Sequence, residues 1–114
     1  MTSYQKIKQA CQKIGVPAYP DFNTNGEDVY VVYNYIAETP TCFGDDTPQS
    51  VIEDLQVHLY LPAEKNFFDI KTKMCKSLFQ QGFTYPSIPL NEVEDGKIRH
   101  IVFEFEDDVS IINN

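Results

Sequence analysis

The chain has no tryptophan, only two histidines and only three cysteines among its 114 residues. The cysteines are odd in number and widely spaced, at Cys11, Cys42 and Cys75, and no Cys-x-x-Cys pair occurs. This pattern argues against a disulfide framework and against a structural zinc site. We expect Cys11 and Cys75 to be small apolar residues of helices, and Cys42 to lie in a loop.

Motifs that carry chemistry are also missing. The sequence has no G-x-S-x-G turn, no P-loop and no G-x-G-x-x-G fingerprint. Asp45 and Asp46 form a carboxylate pair, but the surrounding order of residues does not match an EF-hand, so we interpret the segment as a turn. We predict no catalytic centre, no metal and no cofactor, and we keep a small hydrolase that uses Cys42 as a remote alternative.

Cations are scarce, with 9 Lys and Arg against 17 Asp and Glu, which gives a formal net charge of −8. A chain of this sign is unsuited to neutralising phosphates on nucleic acids or anionic membrane surfaces. No stretch approaches the roughly 20 apolar residues of a membrane-spanning helix. The amino terminus lacks the apolar region of a signal peptide, so we expect a cytoplasmic location and no membrane partner.

Apolar residues make up 42% of the sequence, enough for one buried core in a single domain over residues 1–114. The clearest pattern is the alternation over 51–61, whose apolar face is interrupted only by Glu53. We expect Ser3 to cap the first helix, and the chain to run extended over 16–20 because of its prolines. The predicted elements are a helix over 3–14, strands over 29–36 and 51–61, a long loop over 38–49 between those strands, a helix over 64–81, an irregular edge strand over 83–93, a hairpin turn at 94–96 and a strand over 97–106.

This order predicts an α+β fold, in which two helices pack on one face of a mainly antiparallel four-stranded sheet, in the order α-β-β-α-β-β. All cations except Lys97 and Arg99 lie on the two predicted helices. All acids except Glu64 and Asp69 lie on strands, turns and loops. We therefore expect a basic helical side and an acidic sheet side, a layout that suits head-to-tail association into a ring. The alternative is that the basic and acidic sides are simply solvated faces.

The element order, the strand over 51–62 with the helix over 66–81 behind it, and the closing segments 82–85 and 97–105 resemble a known family. These features are similar to those of the tail terminator and tail completion proteins, which join head to tail in long-tailed bacteriophages and prophages. The resemblance implies a homo-oligomeric ring, commonly a hexamer, that ends the tail tube and docks to the head connector protein. It also implies that DNA passes through the lumen without specific binding, and that the protein moves from the host cytoplasm into the virion tail.

On this basis we expect the 38–49 loop and the 94–96 turn to be interface or lumen elements. The candidate interface or lumen residues are Asp45, Asp46, Glu53, Asp54, Glu94, Asp95, Lys71, Lys73 and Lys76. The partners expected are other copies of the chain, the tail tube protein and the head connector protein. An alternative from another class is a monomeric acidic inhibitor or DNA mimic that binds a basic protein.

Overall fold

The computed structural model describes residues 1–23, 25–44 and 47–110, with only the backbone of residues 42 and 43. Its sheet has the strand order β1-β2-β3-β5-β4, in which β1 runs parallel to β2 and every other neighbouring pair is antiparallel. The elements are α1 (Ser3–Lys13), β1 (Ala18–Pro20), β2 (Tyr30–Gly44), β3 (Thr47–Pro62), α2 (Phe68–Gln80), β4 (Ser87–Glu94) and β5 (Ile98–Ser110).

The α+β class and the two helices are confirmed, but the four-stranded sheet was wrong. The segment 16–20 is extended as expected, and its residues Ala18–Pro20 form a fifth strand in parallel register with Val31 to Tyr33. The backbone N–H of Val31 donates to the carbonyl of Pro17 at 2.8 Å, and the N–H of Asp21 donates to the carbonyl of Tyr33 at 2.9 Å. A three-residue strand with two prolines carries too little periodicity to be recognised from sequence, because each proline removes a backbone donor.

The long loop predicted over 38–49 was also wrong. Strands β2 and β3 continue pairing from Ala37 opposite Asp54 to Gly44 opposite Thr47, after a register shift between Tyr35 and Ala37. We call residues 37–44 and 47–54 the arm. It contributes to a longest dimension of 55 Å and a radius of gyration of 15.4 Å, against about 13 Å for a compact chain of this length.

The core lies between the two helices and one face of the sheet. Alternate residues of β3 and β5 point toward the helices, as the sequence pattern over 51–61 predicted. Cys11 and Cys75 are buried helix residues, which confirms the expectation for both. Burial raises the pKa of the Cys11 thiol to about 12, so this sulfur stays protonated and unreactive. The core residues with the least exposure are Ile7, Ala10, Cys11, Val31, Leu55, Val57, Leu59, Met74, Leu78, Ile101 and Phe103.

The first helix is capped by Thr2 and not by Ser3. The Thr2 hydroxyl accepts the backbone N–H of Gln5 at 3.1 Å, and the Gln5 side chain accepts the N–H of Thr2 at 2.8 Å. This reciprocal capping box satisfies two backbone donors that the helix itself leaves unpaired. Ser3 is instead turned inward, where it is 2% exposed.

We expect Thr2→Ala to lower the free energy of unfolding by about 1 kcal/mol, because one cap hydrogen bond is lost. Thr2→Ser keeps the hydroxyl and serves as the matched control. Urea denaturation followed by circular dichroism measures both variants. Equal stability of Thr2→Ala and the parent chain would show that this capping box is not formed in solution.

Candidate interaction surface

The sheet has one face that no helix covers within the described chain. The even-numbered residues 54–60 of β3 point to this side, because the odd-numbered residues 55–61 are the ones buried under the helices. Their register partners on the neighbouring strands share the same side. We call this surface the helix-free face.

Aromatic rings line one end of the helix-free face. Tyr30 stacks on Tyr60 with ring centroids 5.0 Å apart, and Tyr60 stacks on His100 at 4.4 Å. The ring of His58 lies 5.1 Å from that of His100. Partial burial raises the pKa of Tyr60, so its hydroxyl stays neutral at physiological pH. The rings form a flat strip across β2, β3 and β5, of the kind that buries well against a partner.

An acidic groove of about 430 Å³ lies next to this strip. Its lining includes Asp54, Glu104 and Glu106, with Ile36 and Tyr85 also contributing. Asp54 lies directly opposite Glu106 in the β3–β5 register. A hydrogen bond with Asp54 raises the pKa of Glu106, and slight desolvation and the negative charge of Asp54 act in the same direction. Two carboxyl groups forced together in this way attract a cationic partner.

Glu53 points the other way, toward the helices. Its carboxylate accepts a hydrogen bond from the Ser3 hydroxyl. Ser3 Oγ also lies 2.8 Å from Asp107 Oδ2, and Lys6 Nζ lies 2.9 Å from the same oxygen. Asp107 is the β5 residue opposite Glu53. This cluster explains why an acid interrupts the apolar face of β3: the side chain ties β3 to the start of α1.

The three candidate lysines lie on α2, on the helical side of the molecule. The Nζ of Lys71 lies 5.7 Å from the ring centre of Phe67 and 5.5 Å from that of Phe68. Lys73 forms an exposed ion pair with Asp69 at 3.1 Å, four residues earlier. Lys76 is exposed. The structure therefore brings these lysines together on one helix, and it separates them from the acids of the helix-free face.

The turn between β4 and β5 holds two further candidates. Asp95 and Gly96 both have positive φ, 53° and 65°, which fits the Asp-Gly hairpin turn that the sequence predicts. A carboxylate oxygen of Glu94 lies 3.5 Å from Nδ1 of His100. Asp45 and Asp46, which follow β2 in the sequence, lie outside the described residues. So does the side chain of Cys42, the residue on which the hydrolase alternative depends.

The arm is exposed mainly along its β2 strand, where residues 37–40 are all exposed. Tyr35 and Ile36, at its base, are 38% and 49% exposed, and no core residue lies between Tyr33 and Leu55 in the described chain. On the outer edge of β2, the strands that the structure describes provide pairing only as far as Tyr33, through β1. The other edge of the arm is paired with β5 as far as Ser50, so the outer edge of β2 is the one that offers backbone donors and acceptors to a partner.

Neither a metal-binding cluster of side chains nor a long apolar helix occurs in the described ranges. No group of three or more histidine, cysteine, aspartate or glutamate side chains there is arranged to hold a metal ion. None of the helices in that part of the chain is both long and apolar enough to cross a bilayer.

Sequence reasoning missed three features of this surface: the arm, the acidic groove and the pairing of the two histidines. The alternation over 51–61 places His58 opposite the apolar face of its strand, and in the structure it points away from the helices. His100 showed no partner in the sequence, because the partners lie on other strands. The even spacing of Asp54, Gln56 and His58 on β3, with Glu104 and Glu106 on β5, is the signal from which the shared face follows once the strand register is known.

No family model and no curated protein sequence matches this chain. Among solved structures, the fold resembles that of a chain in the structure titled "Virion of native gene transfer agent (GTA) particle". The TM-score is 0.55 and the sequence identity is 16%, and the match covers 95% of this chain and 91% of that one. At this identity the likeness is one of fold, and it spans nearly the whole of both chains.

Proposed function

We propose that this protein is a structural subunit of a phage or prophage tail, which forms a ring that terminates the tail tube and joins it to the head. The observation that carries the proposal is the arm, a strand pair that extends past the core residues, is backed by β5 only along 50–54, and leaves the outer edge of β2 without a strand partner in the described chain. Such an element is stable in water chiefly when it packs on something else. The fold shared with a chain of a virion particle supports a role among virion proteins.

Charge placement supports association between copies of the chain. The lysines of α2 lie on the helical side, whereas Asp54, Glu104 and Glu106 lie on the helix-free face. Opposite charges on opposite sides favour a head-to-tail contact, in which the basic side of one subunit meets the acidic side of the next. A contact of this type closes into a ring when its rotation divides a full turn, and we propose a hexamer.

The same charges suit a channel for DNA. In our proposal part of the acidic surface, including Glu94 and Asp95, faces the lumen, where it repels the phosphate backbone and allows DNA to pass without specific binding. The tail tube protein and the head connector protein are the proposed partners on the two ends of the ring. The role is mechanical, so we propose no catalysis and no cofactor, with assembly in the host cytoplasm and a final location in the virion tail.

Light scattering in low and high salt tests the ring. We expect a particle of about 79 kDa in low salt, which is six times the 13.1 kDa chain. We expect it to dissociate as salt screens its charged contacts, since the screening length falls from about 30 Å at 0.01 M to about 3 Å at 1 M. Negative-stain images of the low-salt sample should show rings with an open centre. A monomer at every salt concentration, with and without tail tube protein, would remove the ring from consideration.

The acidic groove also fits a second candidate function, that of a monomeric inhibitor or DNA mimic which binds a basic protein. Asp54 and Glu106 form a row with Glu104 and Asp108 along β3 and β5, and repeated negative charge is what a basic partner would recognise. This alternative predicts a monomer that binds its partner with strong salt dependence. The light-scattering experiment separates it from the ring.

A further inference from the structure

A chain of hydrogen bonds crosses the helix-free face from β5 through β3 and back to β5. Gln56 Nε2 donates to Glu104 Oε1 at 2.8 Å, and Gln56 Oε1 lies 3.0 Å from His58 Nε2. His58 Nδ1 lies 2.9 Å from His100 Nε2. On the far side of the second ring, His100 Nδ1 faces Glu94 Oε2 at 3.5 Å.

The carboxylate of Glu104 fixes the direction of every bond in this chain. An ionised carboxylate only accepts, so Gln56 must present its NH₂ group to Glu104 and its carbonyl oxygen to His58. His58 must then carry its hydrogen on Nε2. A neutral His58 has one N–H, so its Nδ1 is a bare acceptor, and His100 must donate to it from Nε2.

With these bond directions, Nδ1 of His100 is left without a hydrogen-bond partner among the described residues. A neutral His100 that donates from Nε2 has a bare Nδ1, which points at the carboxylate of Glu94, so that two acceptors face each other. The Nδ1 atom is buried, and no hydrogen-bond donor of the described residues reaches it. A buried polar atom without a partner is costly, and a single added hydrogen would satisfy both Nδ1 and Glu94.

We propose that the His58–His100 pair binds one proton, at Nδ1 of His100, and that this proton fastens the turn between β4 and β5 to strand β3. With the proton in place, His100 donates to His58 on one side and to Glu94 on the other. Without it, the lone pair of Nδ1 and the carboxylate repel each other and the turn is held less firmly. The inference goes beyond the proposed function and does not depend on it.

Charged and neutral side chains approach His100 from both neighbouring strands. Glu94 and the exposed Glu92 lie on β4, and Glu92 is the register partner of His100. Glu104 lies four residues after His100 on β5. From β3, His100 meets the neutral rings of Tyr60 and His58. Of these carboxylates, that of Glu94 is the one placed to accept a hydrogen carried by Nδ1 of His100.

A second proton does not fit. It would have to enter at Nδ1 of His58, where it would meet the N–H of His100 across 2.9 Å and break the bond between the rings. Burial lowers the pKa of His58, and the neighbouring His100 lowers it further, while Glu104 opposes them. A histidine with a lowered pKa makes the fold less stable as the pH falls below its unfolded value of about 6.5. Overall stability therefore mixes two opposite effects, and a local measurement is needed.

Nitrogen-15 NMR of the imidazole rings between pH 8 and pH 5 provides that measurement. At pH 8 we expect both rings to be neutral with hydrogen on Nε2. On acidification we expect Nδ1 of His100 to become protonated first, while His58 keeps its neutral Nε2–H form. A neutral His58 with hydrogen on Nδ1, protonation of His58 before His100, or independent titration of the two rings would each overturn the proposal.

Amide hydrogen exchange of Lys97 measures how stably the turn between β4 and β5 is closed. The N–H of Lys97 donates to the carbonyl of Glu94 at 3.1 Å. We expect its protection factor to rise about two- to fivefold between pH 8 and pH 6, because the added bond is partly exposed. Glu94→Gln should abolish this rise, since an amide can donate to the bare Nδ1 of neutral His100. Glu38→Gln, which removes an exposed acid of β2 outside this hydrogen-bond chain, is the control and should retain the rise. A rise that survives in Glu94→Gln, or no rise in the parent chain, would contradict the proposal.

Discussion

Replacing residues 40–51 by the dipeptide Asn-Gly should convert the proposed ring into a folded monomer. Thr39 and Ile52 face each other in the β2–β3 register, so a two-residue turn can close the shortened hairpin between them. The described residues that are removed contribute nothing to the core. We therefore expect the shortened chain to stay folded, with some loss of stability because Val109 and Ser110 of β5 lose their strand partners.

Light scattering and urea denaturation together decide this prediction. A shortened chain that stays in the ring would show that the arm is not the contact between subunits. A shortened chain that unfolds would show that the arm stabilises the monomer itself. Ile36→Ser offers a milder test at the base of the arm, because Ile36 is 49% exposed beside the groove. Phe22→Ser is its control, since Phe22 is 72% exposed and is not among the residues that line the groove.

Lys6→Ala should lower the free energy of unfolding by about 2 to 3 kcal/mol. The Asp107 side chain is 5% exposed and has the ammonium group of Lys6 at 2.9 Å. Removing the lysine leaves a nearly buried carboxylate without its cation, and it leaves Glu53 directly across the strand register from it. Breaking a fully buried ion pair costs about 3 to 5 kcal/mol, and the 24% exposure of the Lys6 side chain reduces that figure.

Lys8→Ala is the matched control for this substitution. Lys8 lies on the same helix, is exposed, and carries the same charge, so its loss should change stability by less than about 0.5 kcal/mol. Equal effects of the two substitutions would mean that the ion pair is not formed in solution. A double-mutant cycle with Asp107→Ala separates the interaction itself from the loss of the packing of Lys6, whose Nζ lies 5.5 Å from the ring centre of Phe83.

Much of the fold could be predicted from local patterns. The alternation over 51–61 places Leu55, Val57 and Leu59 in the core, and all three are fully buried. The glycines at the ends of the helices adopt positive φ, 75° at Gly15 and 101° at Gly82. These signals work because a residue that packs against its own core repeats with the period of its helix or strand.

The arm escaped prediction for the same physical reason. Apart from Glu53, which contacts Ser3 of α1, its described residues add nothing to the core, so no alternation of apolar and polar residues marks one side of its strands. Thr39, Pro40 and Thr41 therefore read as loop residues, although they pair with Ile52, Val51 and Ser50. Pro40 is tolerated because no strand of the described chain pairs with the outer edge of β2 at that point.

The candidate site also combines features that the sequence predicts with features that only the structure shows. The separation of charge between helices and strands was evident in the sequence, and the Asp-Gly turn at 95–96 was too. The contacts of individual side chains were not. Glu53 faces α1 because Ser3 and Lys6 approach β3 and β5 there, and the sequence alone indicates neither contact.

By itself, the sequence determined the α+β class, the two amphipathic helices, the central strand and the inert buried thiols, because each depends on residues close together in the chain. Only the tertiary structure decided the arm, the fifth strand and the pairing of His58 with His100, which are 42 residues apart. Such features depend on which strands become neighbours and in what register. Register between distant strands is set by the packing of the whole sheet against the helices, and a one-residue shift would turn His58 away from His100 and into the core.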